Sequence, residues 1–211
     1  MKHIDDRLEY MGMYNWSNDL PENTHARQNF LEILDYFNKS FDTKNKETKI
    51  LEIGTFCGTS LVHILKEIPN CKGYAIDKWQ NYGECELLEQ VDFSKVKEAF
   101  YHNMRVSGQI EKMENVYIGD SHKILMNMLK NNNKFDLIYV DGSHRCLDAY
   151  LDIELSFELL NSKGILIIDD VPYLQEQVLE SPYEAVLQFI KRNDGQYKIL
   201  KNTYRMFLEK N

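Results

Sequence analysis

Apolar and polar positions change rhythm near Lys49. Residues 1–48 are polar except for one stretch, Ala26–Phe41, where Phe30, Leu31, Leu34 and Phe37 recur at helical spacing and predict a capping helix. From Lys49 onward, short apolar runs alternate with amphipathic segments, the pattern of β-α units around a parallel sheet. The runs predict strands at Lys49–Ile53, Gly73–Asp77, Asn115–Ile118, Phe135–Asp141 and Ile165–Asp169. Helices are expected near Thr59–Glu67, Ser94–Val106, Ser121–Asn131, Leu147–Leu160 and Tyr183–Arg192. In the fourth of these, Leu147, Leu151 and Leu155 form a stripe expected to face the core. Gln196–Leu200 and Tyr204–Leu208, separated by Lys201, Asn202 and Thr203, predict a terminal antiparallel hairpin. The expected fold is therefore α/β and doubly wound, with a mostly parallel seven-stranded sheet ending in that hairpin. It divides into an N-terminal helical cap, 1–48, and one ligand-binding domain, 49–211. Residues 79–93 fit neither period and follow the second strand on the side where open sheets bind ligands, which suggests a lid or substrate loop.

Composition narrows the partners. A chain of 211 residues, 43% hydrophobic and 27% charged, suits one globular domain with its own core. No apolar run reaches the ~18 residues of a spanning helix, so no membrane partner is expected. The polar, acidic start Met1–Asp6 is unlike a secretory signal. The four cysteines, Cys57, Cys71, Cys85 and Cys146, form no C-x-x-C pair, which suits reduced thiols in the cytoplasm. A net charge of −8 argues against nucleic acid and for a small-molecule partner, with homo-oligomerisation left open.

The chemistry starts at Leu51-Glu52-Ile53-Gly54-Thr55-Phe56-Cys57-Gly58-Thr59-Ser60, an apolar strand that runs into a glycine turn and then opens a helix. Glycine permits the turn and lets a ligand approach the backbone, while free N–H groups at the helix start suit an anionic ligand group. A dinucleotide site would carry G-x-G-x-x-G; here the pattern is Glu52-x-Gly54-x-x-x-Gly58. At the end of the next strand Asp77, followed by Lys78, can accept both ribose hydroxyls of a nucleoside. Farther on, Phe135–Asp141 and Gly164–Asp169 each end an apolar run in acid, and Asp170 follows. Neighbouring strands lie about 4.8 Å apart, so these carboxylates would gather at one edge. A pair at ~4 Å costs about 4 kcal/mol at an effective dielectric near 20, which a cation would offset. Magnesium is the natural guest, and calcium or manganese would also fit.

On these residues the chain resembles the class I S-adenosylmethionine-dependent methyltransferases, whose fold is Rossmann-like and whose first motif reads E/D-x-G-x-x-x-G. Leu51–Ser60 is similar to the loop of catechol O-methyltransferase. The resemblance implies that Gly54, Phe56 and Ser60 line the methionine end, Ser60 donating to its carboxylate. Glu52, Thr55 and Gly58 belong to the same loop, and Asp77 and Lys78 would serve the ribose. Asp120, Ser121 and His122 stand where the family contacts adenine, although Ser121 also suits a helix N-cap. The segment Asp141–Asp152, which opens Asp141-Gly142-Ser143-His144, resembles the D-G-S-H-x-Y…D segment of the macrocin and mycinamicin sugar O-methyltransferases, relatives of cephalosporin-hydroxylase-like proteins. That likeness implies a metal on Asp141, Asp169 and Asp170, with Asp141 also beside the cofactor, and His144 as catalytic base. Two departures stand out: Cys146 replaces a tyrosine, and an Asp-Asp pair replaces Glu-Asp. The expected function is metal-assisted O-methylation of a small hydroxylated acceptor, a sugar or phenol-like molecule. Trp79, Tyr82 and Tyr173 are candidates to flank it. A non-catalytic cofactor-binding subunit and a hydroxylase-like relative are the alternatives.

Overall fold

The computed structural model describes residues 24–80, 91–172 and 181–211. The elements, in chain order, are α1 (Thr24–Phe41), β1 (Thr48–Ile53), α2 (Thr59–Glu67), β2 (Cys71–Asp77) and α3 (Phe93–Val106). Then come β3 (Met113–Ile118), α4 (Ser121–Lys130), β4 (Phe135–Val140), α5 (Cys146–Leu159), β5 (Leu160–Ile168), α6 (Pro182–Arg192), β6 (Tyr197–Asn202) and β7 (Met206–Lys210). One sheet of seven strands runs in the order β3-β2-β1-β4-β5-β7-β6. The first five strands of that order pair in parallel, and β7 pairs antiparallel with both β5 and β6. This is the doubly wound sheet with a terminal hairpin that the apolar rhythm predicts.

The central strands are buried on both faces, so β1 and β4 read as near-continuous apolar runs. One face carries α1, α2 and α3, with Phe37, Leu61 and Phe100 fully buried against Ile50 and Tyr139. The other carries α4, α5 and α6, with Leu125, Ile153 and Phe189 packed on Leu51, Ile53 and Ile138. Helix starts follow capping chemistry: Asp92, Asp120 and Ser181 each accept a first-turn backbone N–H, from Ser94, Lys123 and Tyr183. Among the described residues no helix is long and apolar enough to cross a membrane.

Three expectations need correction. Strand β5 begins at Leu160, five residues before the apolar run, because backbone pairing carries the polar segment Asn161–Gly164 through an irregular register with β4. The hairpin lies farther along the chain, its first strand starting one residue and its second strand two residues later than expected. Pairing with β5 puts Ile168 opposite Met206 and Ile165 opposite Glu209, so Tyr204 and Arg205 belong to the turn. Helix α5 turns a different face inward: Leu147 is 68% exposed, while Ala149, Asp152, Ile153, Ser156 and Phe157 are buried. Both stripes have helical spacing, and the inward one carries Ala149, Ile153 and Phe157 into the core, with Ser121 of α4 bonding the Asp152 carboxylate.

Candidate functional site

The carboxyl ends of β1, β2 and β3 open on a cleft of about 210 Å³. Gly54, Asp77, Lys78, Asp120, Ser121 and His122 line it, all of them expected from the sequence. The floor depends on main chain. Gly54 has φ +80°, and a Cβ there would sit 1.9 Å from the Asp141 carbonyl oxygen. Its glycine is therefore demanded by the neighbouring β4–α5 turn, in addition to any ligand. Asp77 ties the rim together: its carboxylate accepts from Phe56 N at 2.8 Å and from Trp79 N at 2.6 Å. Those two residues are left-handed, φ 47° and 43°, a conformation that needs such outside support. Burial raises the Asp77 carboxyl above its usual range, and the donated amides oppose the shift.

The rest of the glycine loop lies behind the cleft. Gly58, at φ +79°, is the N-cap of α2, and a Cβ on it would meet the Phe100 ring at 2.8 Å. Glu52 is fully buried and accepts from Ser60 Oγ, so that hydroxyl is directed inward. Burial pushes Glu52 up to about 8, Ser60 pulling the other way and Asp77 adding to the rise. Its Oε2 and the Oγ1 of buried Thr55 have no hydrogen-bond partner. Phe56 packs edge-on against Phe93, ring centroids 6.4 Å apart. Trp79 is 6% exposed and stacks obliquely on Phe100, with Nε1 donating to Phe56 O at 2.9 Å. It is thus a rim support and not a flank for an acceptor. Tyr82 and Tyr173 lie outside the described residues, as does most of the expected lid.

The turn after β4 joins this cleft to a charged cluster. Gly142 and Ser143 line the cleft, while Asp141 and His144 on either side of them meet Asp170. One ligand atom from each of the three lies within 4.8 Å of the others, a spacing one cation can bridge. His144 Nε2 stands 2.9 Å from Asp170 Oδ2. Asp170 adopts φ 51°. Burial alone would raise its carboxyl, but hydrogen bonds from His144 and Tyr204 outweigh it and hold the group below its usual range. Being ionised, Asp170 only accepts, so Nε2 of His144 donates the proton that lies between them. Asp141 shifts the other way, well above the carboxylate range, through burial and then repulsion from Asp169 and Asp170.

Asp169 departs from expectation. Its Oδ2 accepts from Tyr139 OH and from Arg205 Nε, the latter at 3.0 Å, and its Oδ1 accepts from Asp170 N at 2.9 Å. Arg205 is 4% exposed, bonds Tyr139 OH at 3.0 Å, and lies 5.7 Å from the Phe30 ring centroid. Burial would lower this guanidinium, but Tyr139 and Asp169 outweigh it and the net shift is upward.

The sequence reading assigns no role to a second set, although Asp152 closes the motif that begins at Asp141. Arg145 and Asp148 line the cleft, and Asp152 sits beneath it, buried. Ser121 bonds the Asp152 carboxylate, and His122 Nε2 lies 3.5 Å from its Oδ1. Burial raises Asp152 to about 6, against the pull of Ser121 and His122. The available signal was the spacing of Asp148 and Asp152, one helical turn apart in an apolar segment. For Arg205 and Tyr204 the signal was obscured by the shifted hairpin.

Comparison with known proteins places the chain. A family model described as a methyltransferase domain matches residues 51–171. The O-methyltransferase hkm8 of Aspergillus hancockii is 24% identical over 136 residues, 64% of this chain and 48% of its own length. The chain thus spans about half the length of that relative. The O-methyltransferase from Bacillus cereus, solved in complex with SAH, superposes with TM-score 0.64 at 12% identity, covering 100% of this chain and 93% of its own. TomG, an O-methyltransferase from Streptomyces achromogenes solved in complex with SAM, gives 0.59 at 16% identity, covering 86% and 89%. At these identities the likeness to solved structures is one of fold.

Proposed function

Because the chain belongs to the family of methyltransferase domains, we propose that it moves a methyl group from S-adenosylmethionine to a hydroxyl of a small acceptor, a sugar or phenol-like molecule, assisted by a divalent cation. The observation that carries this reading is the four-residue turn Asp141–His144. Its middle lines the cleft, and its ends belong to the acid cluster, so cofactor and acceptor would meet across one turn. S-adenosylmethionine supplies an electrophilic methyl on a sulfonium, and transfer is an in-line displacement that depends on alignment. Asp77 accepts the ribose hydroxyls while its amide contacts keep the rim in place. The first turn of α4, with Asp120 and Ser121, receives the adenine end.

The cluster's donor set fits a hard cation. Asp141 and Asp170 offer carboxylate oxygens, and the burial and then the repulsion that raise Asp141 both penalise a charged carboxylate, a penalty a cation would offset. A bound divalent ion lowers the pKa of an attached hydroxyl. His144, held by Asp170 through Nε2, then serves as the base that takes the acceptor's proton. Isothermal titration with S-adenosylmethionine, with and without magnesium, tests the reading and precedes an acceptor screen of sugars and phenols. Binding should weaken at least about tenfold in Asp77→Ala, equal to the loss of one strong hydrogen-bonding anchor. A chain that leaves S-adenosylmethionine unbound sinks the proposal.

A further inference from the structure

We propose that Arg205 is a positioning residue that reserves Asp169 for a buried ion pair and so restricts the cation site to Asp141 and Asp170, beside His144. The inference rests on the cation half of the function proposed above, and it concerns which acids that site uses. Asp169 already satisfies three donors, Tyr139 OH, Arg205 Nε and Asp170 N, close to the capacity of a carboxylate. The guanidinium is enclosed by Phe30 and Tyr139 and delivered by the hairpin turn. A cation on Asp169 would set two positive centres on one acid and would uncouple a buried, hydrogen-bonded pair. The anchored amide of Asp170, at φ 51°, instead aims the second carboxylate toward His144. Two carboxylates suffice for an ion of the magnesium type, which keeps positions for water and for an acceptor oxygen.

The test is Mn2+ uptake by the full chain, followed by the resonance of the free ion and without acceptor. Binding of S-adenosylhomocysteine, followed by calorimetry, shows that each variant keeps its cleft. Asp141→Asn and Asp170→Asn should each weaken Mn2+ at least tenfold, whereas Asp169→Asn should stay within threefold. In Arg205→Met the released Asp169 becomes an additional ligand, and Mn2+ should bind about tenfold more tightly. Adding Asp169→Asn to that variant should reverse the gain. Should either Asp169→Asn or Arg205→Met fail to bind S-adenosylhomocysteine, the other variant still decides. Loss of Mn2+ in Asp169→Asn as severe as in Asp170→Asn, or no gain in Arg205→Met, overturns the assignment. A wild-type chain that binds S-adenosylhomocysteine but no Mn2+ removes the cation proposal itself, and this inference with it.

Discussion

The two halves of the sheet's carboxyl edge are built from different materials. On the β1–β2–β3 side the cleft is shaped by main chain: left-handed turns, a glycine pressed against a neighbouring loop, and one acid that ties two amides. On the β4–β5–β7 side it is shaped by charged side chains that offset one another, Asp169 with Arg205 and Asp170 with His144. A backbone-built wall should fail when atoms are added. A charge-built wall should fail when one partner is taken away.

The largest effect that would sharpen this contrast is expected of Gly54→Ala. Its Cβ would overlap the Asp141 carbonyl at 1.9 Å, and the loss on chemical denaturation should exceed about 5 kcal/mol. A well-folded Gly54→Ala protein would break the contrast at once. Next comes Arg205→Met, which strands Asp169 in a buried setting and should cost about 4 kcal/mol in the same assay.

Glu52, on the cleft side, tests the rule by pH. Its folded value, about 8, lies above the ordinary 4.5, so the folded state keeps a proton that the unfolded chain has released. Stability should therefore fall as pH rises from about 4.5 to about 8 and level off above, with Glu52→Gln flattening an effect of several kcal/mol. In Asp141→Asn, methyl transfer should drop at least about a hundredfold, roughly 2.7 kcal/mol of barrier, with stability held or slightly improved as repulsion is relieved. The smallest effect is expected of Leu147→Gln, under about 0.5 kcal/mol, since that side chain is 68% exposed. A larger loss would return the leucine stripe to the core.

What could be read from the chain alone follows the same division. Strand and helix periods, the glycine turn and the acids ending β2 and β4 are local, because each depends on neighbours within a few residues. Those features predict the parallel sheet, the terminal hairpin and the placing of Gly54 and Asp77 at the sheet edge, whereas Lys78, Asp120, Ser121 and His122 enter through the family resemblance. Local pattern could not choose between two helical stripes on α5, nor fix where the hairpin's second strand starts, since a displacement by two residues keeps the same alternation. Pairing of β7 with β5 made that choice, and with it carried Arg205 from 36 positions away onto Asp169. Which acid faces a cation and which faces a guanidinium is therefore a property of tertiary structure. The energy of a buried charge depends on the partners that folding brings to it, and those partners are distant in sequence.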